Sequence, residues 1–390
     1  MSEWQEYVLV DIIDQFIDYR GKTPKKSSSG IPLITAKIVK SGKIIEPTEF
    51  ISEENYSSWM TRGFPQVNDI VLTTEAPLGE IALIKDAHVA LGQRLITLRG
   101  NPSLVSNPFL KYYFQNSVGQ HELQSRASGT TVFGIKASVL REVPVFLPPL
   151  PEQKAIASVL SSLDDKIDLL QRQNITLEAM AETLFRQWFV EEAQEDWETT
   201  TLGNIADINP KYRLKKGPKS TYLEMKGLDT VSSIPSGWYK REFTSGMKFQ
   251  NGDTLLARIT PCLENGKTCF VSFLQEDETG WGSTEYIVIR MKEPFHPYIS
   301  YIIAKNEGFR EFAVGSMSGS SGRQRANASV VSEYIASIPP PGIITRMNEQ
   351  LESISSKLRN NANQIEVLQN LRDTLLPKLI GGEVEVQFDD

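Results

Sequence analysis

The chain has 390 residues, 40% of them apolar and 23% charged, and its 41 Lys and Arg against 48 Asp and Glu give a net charge of −7. These values are typical of a soluble protein with two or three globular domains. Without an apolar run near the roughly 18 residues of a membrane span, or an export signal at its start, we expect a cytoplasmic protein that makes no membrane contact. Two cysteines and three scattered histidines are too few for a disulfide framework or a Cys/His metal centre, so we also expect no bound metal.

Short sequence matches recur in the same order in the two halves of the chain, at offsets of 184 to 193 residues. The matched sets are Trp4, Leu9 and Asp14 with Trp197, Leu202 and Asp207; Asp69, Leu72 and Pro77 with Asp253, Leu256 and Pro261; and residues 137–139 with residues 328–330. A nearly constant offset indicates one structural plan used twice.

Each repeat begins with about 150 residues that have the pattern of short strands and turns. The predicted strands are 70–73, 81–84 and 95–98 in the first repeat and 254–257, 268–273 and 286–291 in the second, all bounded by Gly, Pro, Asn or Asp. Short helices are predicted near 108–116 and 297–306. The predicted fold class is therefore α+β, with two similar globular domains at 1–150 and 193–340.

A long helix is predicted after each domain, within 151–192 and within 341–390. Seam residues alternate at spacings of four and three over 156–188 and again, 191 residues later, over 347–379. This heptad spacing is typical of a coiled coil. We expect the two helices to pack on each other and to separate the two globular domains. Both segments are acidic, unlike the charge-balanced domains, which suits contact with protein partners more than with phosphates.

Asn174 and Asn361 interrupt the two apolar seams. When the seams overlap fully, an antiparallel pairing places the two Asn opposite each other. In a parallel pairing each Asn faces Leu or Ile, which leaves a buried amide unpaired at a cost of about 1–3 kcal/mol. A matched Asn pair sets register and direction. The alternative is that both are exposed and simply tolerated, and we predict the antiparallel pair.

No catalytic motif is recognisable. The Gly21-Lys22-Thr23 triplet has Phe16 where the first Gly of a phosphate-binding P-loop would stand, and the Gly/Ser-rich segment 315–322 lacks the G-x-G-x-x-G spacing. The segment 209–212 hints at the Asn-Pro-Pro-aromatic motif of amino-methyltransferases, but Lys211 replaces the second proline, so we interpret it as a turn. We predict no catalytic residue, and that the chain is not an enzyme by itself.

Basic or polar loops containing Gly recur at related places in both repeats. The predicted DNA-binding residues are Arg20, Lys22, Lys25, Lys26, Ser128, Gly129, Thr130 and Thr131 in the first domain, and Lys211, Arg213, Lys215, Lys216, Lys219, Ser320, Arg323, Gln324 and Arg325 in the second. Lys and Arg on loops suit phosphates, and Arg, Gln, Ser and Thr can read base edges. The alternative for any one of them is a residue that only keeps the surface soluble.

Several segments together resemble the specificity subunit of type I restriction-modification systems. They are LPPLPEQK at 147–154 before the first helix, LFRQWFV at 184–190, LRDTLLPKL at 371–379, and the Asp-to-Pro segments 69–77 and 253–261. The resemblance covers essentially the whole chain in the family's order. The second junction departs from it, because Pro341-Gly342-Ile343-Ile344 replaces the Pro-Glu-Gln-Lys of the first. Pro377 further predicts that the second helix ends or kinks near Leu376.

The resemblance implies two target-recognition domains, at 1–150 and 193–340, each reading one half of a split double-stranded DNA sequence. It implies that the helices within 151–192 and 341–390 dock methyltransferase subunits, which bind S-adenosylmethionine and methylate adenine. A restriction subunit can join the complex, and this chain itself binds no cofactor. Two other interpretations stay open: a two-lobed scaffold that binds only proteins, and a self-contained methyltransferase with a degenerate motif at 209–212.

Overall fold

The structure is a computed structural model, and it describes residues 4–21, 23–191, 194, 197–320 and 322–386. The chain divides into two compact units: unit 1 comprises residues 1–166 and 368–390, and unit 2 comprises residues 167–367. Each unit therefore contains one β-rich domain and a stretch of both long helices. Within the described ranges, no helix combines the length and the apolar character needed to cross a membrane.

The domain of unit 1 alternates short strands with short helices. Its strands are β1 (Gln5–Val8), β2 (Ile13–Asp18), β3 (Lys26–Ser27), β4 (Ile31–Ile34), β5 (Val39–Lys40), β6 (Lys43–Ile44), β7 (Phe50–Ile51), β8 (Ile70–Thr74), β9 (Leu78–Leu83), β10 (Ala90–Leu91), β11 (Leu95–Gly100) and β12 (Pro144–Leu147). Its helices are α1 (Leu9–Ile12), α2 (Glu53–Trp59), α3 (Asn107–Gln115), α4 (Ser117–Ser125) and α5 (Ala137–Arg141). The long helix α6 (Leu150–Arg186) follows and ends in a π-helical turn, Gln187–Glu191.

The domain of unit 2 repeats this pattern. Its strands are β13 (Thr199–Thr201), β14 (Ala206–Ile208), β15 (Lys219–Leu223), β16 (Tyr239–Glu242), β17 (Lys248–Phe249), β18 (Thr254–Ala257), β19 (Thr268–Phe270), β20 (Gly280–Gly282), β21 (Tyr286–Met291) and β22 (Ile335–Ser337). Its helices are α7 (Leu202–Ile205), α8 (Ile299–Lys305), α9 (Glu307–Gly315) and α10 (Ala328–Val331), with a 3-10 turn at Met225–Gly227; α11 (Pro341–Ile380) follows. Each predicted strand and short helix is present, although β19 ends three residues before the predicted limit.

The sheets confirm the internal repeat. One four-stranded sheet has the order β2-β11-β8-β9 in unit 1 and β14-β21-β18-β19 in unit 2. The second sheet has the same three-stranded core in both units, β10-β4-β7 in unit 1 and β20-β15-β16 in unit 2. In this core β10 runs parallel to β4, and β20 runs parallel to β15. Its edges differ, because β3 extends the sheet of unit 1 beyond β7, whereas β17 extends that of unit 2 beyond β20.

The central strands β8 and β18 are buried along their whole length because both of their faces are covered. In β8, Ile70 and Leu72 pack in the cluster formed with helix α3, while Val71 between them packs in the cluster of the second sheet. In β18, Leu256 and Leu255 divide in the same way between two clusters. Burial on both faces explains why apolar residues are consecutive in these strands, at 70–72 and 255–257, without alternating with charged ones.

Both predicted long helices are present, but α11 does not end near Leu376, because it continues through Pro377 to Ile380. Pro377 lies in the last turn, where its missing N–H removes one hydrogen bond. Beyond it, Leu379 and Ile380 are only 2% and 3% exposed in the core of unit 1. Burying two such side chains stabilises by roughly 1.5–3 kcal/mol each, which is enough to offset a cost of about 3 kcal/mol for a helical proline.

The two Asn of the seams form the predicted antiparallel pair within unit 2. Nδ2 of Asn361 donates to Oδ1 of Asn174 at 2.8 Å, and both residues are buried. On one side of this pair, Ala181 of α6 and Leu351 and Ile354 of α11 belong to one core cluster. A parallel arrangement could not bring these positions together, so the direction of packing is confirmed.

A side-chain amide, buried in Gln153 and partly buried in Asn348, anchors the start of each long helix to its domain. In unit 1, Gln153 accepts from the backbone N–H of Ser106 at 2.9 Å and donates to the carbonyls of Leu104 (3.1 Å) and Pro148 (2.9 Å). In unit 2, Asn348 accepts from the N–H of His296 at 2.9 Å and donates to the carbonyl of Pro294 at 2.6 Å. These backbone partners lie 190 residues after Ser106 and Leu104. The second junction thus keeps an amide that binds these backbone groups, but the amide belongs to a residue one helical turn further along the helix than the repeat offset of 191 places it.

Candidate nucleic-acid interface

A short hairpin at residues 128–134, here hairpin 1, projects from the domain of unit 1. The N–H of Ser128 donates to the carbonyl of Gly134 at 2.9 Å, and the reverse bond is 3.0 Å long. The N–H of Ile135 donates to the carbonyl of Thr74 at 3.0 Å, which anchors the hairpin at the end of β8. Gly129 has φ of +134°, and a Cβ there would collide with the carbonyl of Val132, so this turn requires glycine.

Hairpin 2, at residues 318–325, is its counterpart in unit 2. Ser318 and Arg325 exchange backbone hydrogen bonds of 3.1 and 3.0 Å, and the N–H of Ala326 donates to the carbonyl of Arg258 at 2.8 Å, at the end of β18. Gly319 has φ of +128°, as Gly129 does in hairpin 1. The two hairpins therefore have the same anchor and the same first turn, and hairpin 2 is one residue longer.

The first predicted basic loop lies beside hairpin 1. Arg20 donates to the carbonyl of Ile135 at 3.3 Å, and its guanidinium forms an ion pair with Asp18 at 2.7 Å. Burial alone would raise the pKa of Asp18, but the hydrogen bonds and positive charge of Arg20 lower it overall. Lys25 is exposed, whereas Lys26 is part of β3 and is paired with Glu49 at 2.8 Å. The predicted residue Lys22 lies outside the described residues.

The second predicted basic loop presents exposed cations. Lys211, Arg213, Lys215 and Lys216 are exposed, while Lys219 is the first residue of β15 and so is part of the sheet, not of the loop. The side chain of Tyr212 points inward, where its hydroxyl donates to Asp253 at 3.0 Å and accepts from Nε of Arg290 at 2.6 Å.

The predicted turn at 209–212 has a structural role. Asn209 has φ of +55°, and its side-chain oxygen accepts from the N–H of Val288 at 2.9 Å. Burial raises the pKa of the Tyr212 hydroxyl, which keeps this hydroxyl neutral and able to donate. The segment therefore fixes the loop to the strand β21, as a turn with an anchoring side chain.

A buried Asp is paired with a partly exposed Arg beside the central strand of each domain, and sequence reasoning missed the Arg partners. Asp69 pairs with Arg99, and Asp253 pairs with Arg290, each at 2.7 Å. Each Asp also accepts, at 2.8 Å, from the backbone N–H three residues before it. Burial raises the pKa of Asp253, against the opposing hydrogen bonds from Gln250 and Arg290. The matched Asp of the two repeats thus hold the turns that lead into β8 and β18.

A second ion pair lies at the base of each hairpin, with the charges exchanged. In unit 1, Arg94 pairs with Glu75 at 3.1 Å, and the backbone of Glu75 forms an antiparallel β-bridge with Gly134 of hairpin 1. In unit 2, Glu285 pairs with Arg325 of hairpin 2 at 2.8 Å. Glu285 lies 191 residues after Arg94, so the repeat offset could have signalled the equivalence. Within the part of the chain that the structure describes, no cluster of His, Cys, Asp and Glu could hold a metal ion.

Residues 1–179 match a family model described as the type I restriction modification DNA specificity domain. The chain is 27% identical over 363 residues to the type I restriction enzyme MjaIX specificity subunit of Methanocaldococcus jannaschii, which covers 86% of this chain and 82% of the relative. It is 26% identical to the EcoAI specificity subunit of Escherichia coli, over 64% of this chain and 45% of that one. The crystal structure of a type I system S subunit from M. genitalium has the same fold, with a TM-score of 0.60 over 97% of this chain and 96% of that chain at 16% identity.

The chain is thus similar, over most of its length, to specificity subunits of type I restriction-modification systems. The predicted basic residues of this chain fall into two groups. Arg20, Lys26 and Arg325 are paired with carboxylates of their own domain. The other described ones are exposed and have no described carboxylate within 4.0 Å: Lys25, Lys211, Arg213, Lys215, Lys216, Lys219 and Arg323.

The predicted polar residues lie on the two hairpins. Ser128, Gly129, Thr130 and Thr131 are exposed in hairpin 1, and Ser320 and the half-buried Gln324 belong to hairpin 2. In unit 1 the hydrogen bond from Arg20 to Ile135 brings the basic loop and the hairpin together. In unit 2 the contacts of loop 211–218 run instead to Asp253 and to Lys248, whose Nζ donates to the carbonyl of Tyr212 at 3.1 Å.

Proposed function

We propose that this chain reads a split DNA target, with the domain of unit 1 on one half and the domain of unit 2 on the other. The observation that carries the proposal is the repetition of hairpins 1 and 2. Both are anchored by the same backbone bonds to the end of the central strand, and both have exposed tips. Two copies of one recognition surface are what two half-sites require.

The exposed cations on the domains contact phosphates, and the hairpin tips contact base edges. Lys25 in unit 1 and Lys211, Arg213, Lys215 and Lys216 in unit 2 are exposed, and no carboxylate of the described residues lies within 4.0 Å of them. Phosphate contacts position a protein on the duplex, and they make its affinity fall steeply with salt. Sequence is then read in the major groove by side chains that reach it from the tips.

The long helices dock methyltransferase subunits, which carry S-adenosylmethionine and methylate adenine, and a restriction subunit joins the same complex. The chain itself binds no cofactor and supplies no catalytic group. Support for docking comes from large apolar side chains that the helices expose to solvent. Leu169, Ile175 and Met180 on α6 and Val367 and Leu371 on α11 are between 41% and 65% exposed. Exposed apolar side chains of this kind suit a protein partner.

The test is to purify the full chain with the subunits encoded beside it and to map the methylated adenines of host DNA. We expect a split motif. Replacing Arg323 and Gln324 of hairpin 2 together by Ala is expected to relax or abolish recognition of one half and leave the other unchanged, since a good base contact contributes about 1–3 kcal/mol of discrimination. Arg359→Ala is the control, because Arg359 is equally charged and exposed but lies on α11.

Three results would contradict the proposal. A stable complex that methylates without regard to sequence would favour the protein-binding scaffold. Loss of both half-sites in the hairpin 2 variant, with folding intact, would show that the two domains do not read separate halves. A DNA affinity that does not weaken with rising salt would remove the assigned phosphate contacts.

A further inference from the structure

The tip of hairpin 1 carries two exposed apolar side chains. Val132 is 52% exposed and Phe133 is 62% exposed, which makes Phe133 the most exposed aromatic side chain of the described residues. The backbone beneath them is held by the paired bonds between Ser128 and Gly134 and by the bond from Ile135 to Thr74. Large apolar side chains held in water on an anchored tip indicate a contact site.

Hairpin 2 carries a different chemistry at the equivalent positions. Counted back from the shared anchor, Gly134 corresponds to Arg325, so Val132 and Phe133 correspond to Arg323 and Gln324, 191 residues later. Arg and Gln are the side chains that pair with guanine and adenine in the major groove. Val and Phe offer no hydrogen bond. The two tips therefore present opposite chemistries from the same backbone frame.

We propose that Val132 and Phe133 recognise thymine in the half-site of unit 1 by contacting its C5-methyl group in the major groove. This proposal rests on the proposed function. This methyl group is the apolar feature of the major-groove base edges, and apolar side chains, Phe among them, are its usual partners. At the same position in the other half-site, Arg323 and Gln324 read a purine by hydrogen bonds.

The surroundings of each tip fit this assignment. In unit 1, Arg94 is paired with Glu75 at 3.1 Å and Arg20 is paired with Asp18 at 2.7 Å, so neither guanidinium beside hairpin 1 competes with the apolar pair as its reading surface. In unit 2, Arg325 is held by Glu285, whereas Arg323 is exposed. Arg323 is therefore the guanidinium of hairpin 2 that is available to a base.

The test measures binding of the full complex, this chain with its methyltransferase subunits, to duplexes containing the mapped target. Each thymine of the target is replaced in turn by uracil, which lacks only the C5-methyl group. We expect one thymine, in one half-site, whose replacement weakens binding about fourfold, the effect of losing one buried methyl group. Phe133→Ala should weaken binding to the thymine target by at least this factor and should bind thymine and uracil duplexes equally.

Two variants serve as controls. Phe146→Ala removes an exposed phenyl group (43% exposed) from β12 of the same domain and should keep the full uracil effect. Arg323→Ala should weaken recognition of the other half-site and leave the uracil effect unchanged. Because Phe133 is largely exposed, its loss is not expected to unfold the domain.

The inference is overturned if Phe133→Ala binds the target as the wild type does, or if this variant still discriminates thymine from uracil. It is also overturned if the half-site of unit 1 contains no thymine, or if the wild type binds thymine and uracil duplexes equally at every position. If the wild type binds thymine and uracil duplexes equally and Phe133→Ala weakens binding to both, Phe133 would instead be an aromatic wedge between base pairs. Failure of the proposed function is a separate result, since wild-type complex would then show no sequence-dependent binding to any duplex.

Discussion

Gln153 is the residue whose removal tests the architecture most directly. It is 1% exposed, and its side chain makes three hydrogen bonds: two, to Ser106 and Leu104, tie the first turn of α6 to the loop before α3, and the third goes to Pro148 just before α6. Gln153→Ala leaves the N–H of Ser106 and the carbonyls of Leu104 and Pro148 without these partners. We expect the substitution to loosen the junction between the domain and the long helix.

The size of the effect follows from these contacts. Three hydrogen bonds at about 0.5–1.5 kcal/mol each amount to roughly 1.5–4.5 kcal/mol. Leu104 is 38% exposed, so water can reach part of the vacated space and satisfy some of the freed groups. We therefore expect the free energy of unfolding of unit 1 to fall by about 2–4 kcal/mol.

The measurement is urea unfolding of the full chain, combined with hydrogen exchange of the Ser106 amide, which should lose its protection. Gln153→Glu is the informative companion, because its carboxylate still accepts from Ser106 but cannot donate to either carbonyl, and it should destabilise at least as much. Gln364→Ala, at an exposed position on α11, is the matched control. Losses below about 0.5 kcal/mol in both Gln153 variants, or an equal loss in the control, would refute the anchoring role.

Three further predictions concern unit 2 and hairpin 1. Asn174→Leu should destabilise unit 2 by about 1–2 kcal/mol because it leaves the Asn361 amide buried and unpaired, whereas the double Leu variant should be at least as stable as wild type; additive effects in a urea double-mutant cycle would exclude the paired amides. Burial raises the pKa of Glu178, against the opposing hydrogen bonds from Ser233. The folded state therefore binds this proton more tightly than the unfolded state, so wild-type stability should fall as pH rises above the ordinary carboxylate pKa, and Glu178→Gln should remove that part of the slope in thermal unfolding at a series of pH values. An unchanged slope would show that Glu178 is not the responsible group. Gly129→Ala should disorder hairpin 1 and reduce specific DNA binding, measured as affinity and as exchange of the Ser128 amide, while Gly315→Ala, with open space at its Cβ, should change neither.

The repeat and the long helices could be predicted from sequence because their signals are local and periodic. The strands β8 and β18 have consecutive apolar residues since both faces are buried, and the heptad spacing of α6 and α11 follows from one seam facing one partner. The pairing of Asn174 with Asn361 was also predictable, because two polar interruptions in otherwise apolar seams have one arrangement that satisfies both.

The candidate interface was predicted only in part. The sequence placed the basic loops and the hairpins, but Arg20, Lys26 and Arg325 proved to be paired with carboxylates distant by 2 to 40 residues in the chain. Such pairs depend on which loops the sheet brings together, and charge patterns along the chain do not contain that information. The exposed apolar tip of hairpin 1 was missed because Val132 and Phe133 are residues that sequence patterns assign to a core.

What the sequence alone determined is the two-fold plan, the class of each element, the direction of the helical pair and the family it resembles, since all of these depend on the order and spacing of residues. Only the tertiary structure decided how each helix is anchored and where α11 ends. Asn348 replaces Gln153 one turn later because its amide meets the equivalent backbone groups in space, and α11 continues past Pro377 because Leu379 and Ile380 are buried beyond it. In both cases a contact between residues remote in the chain outweighs the local preference.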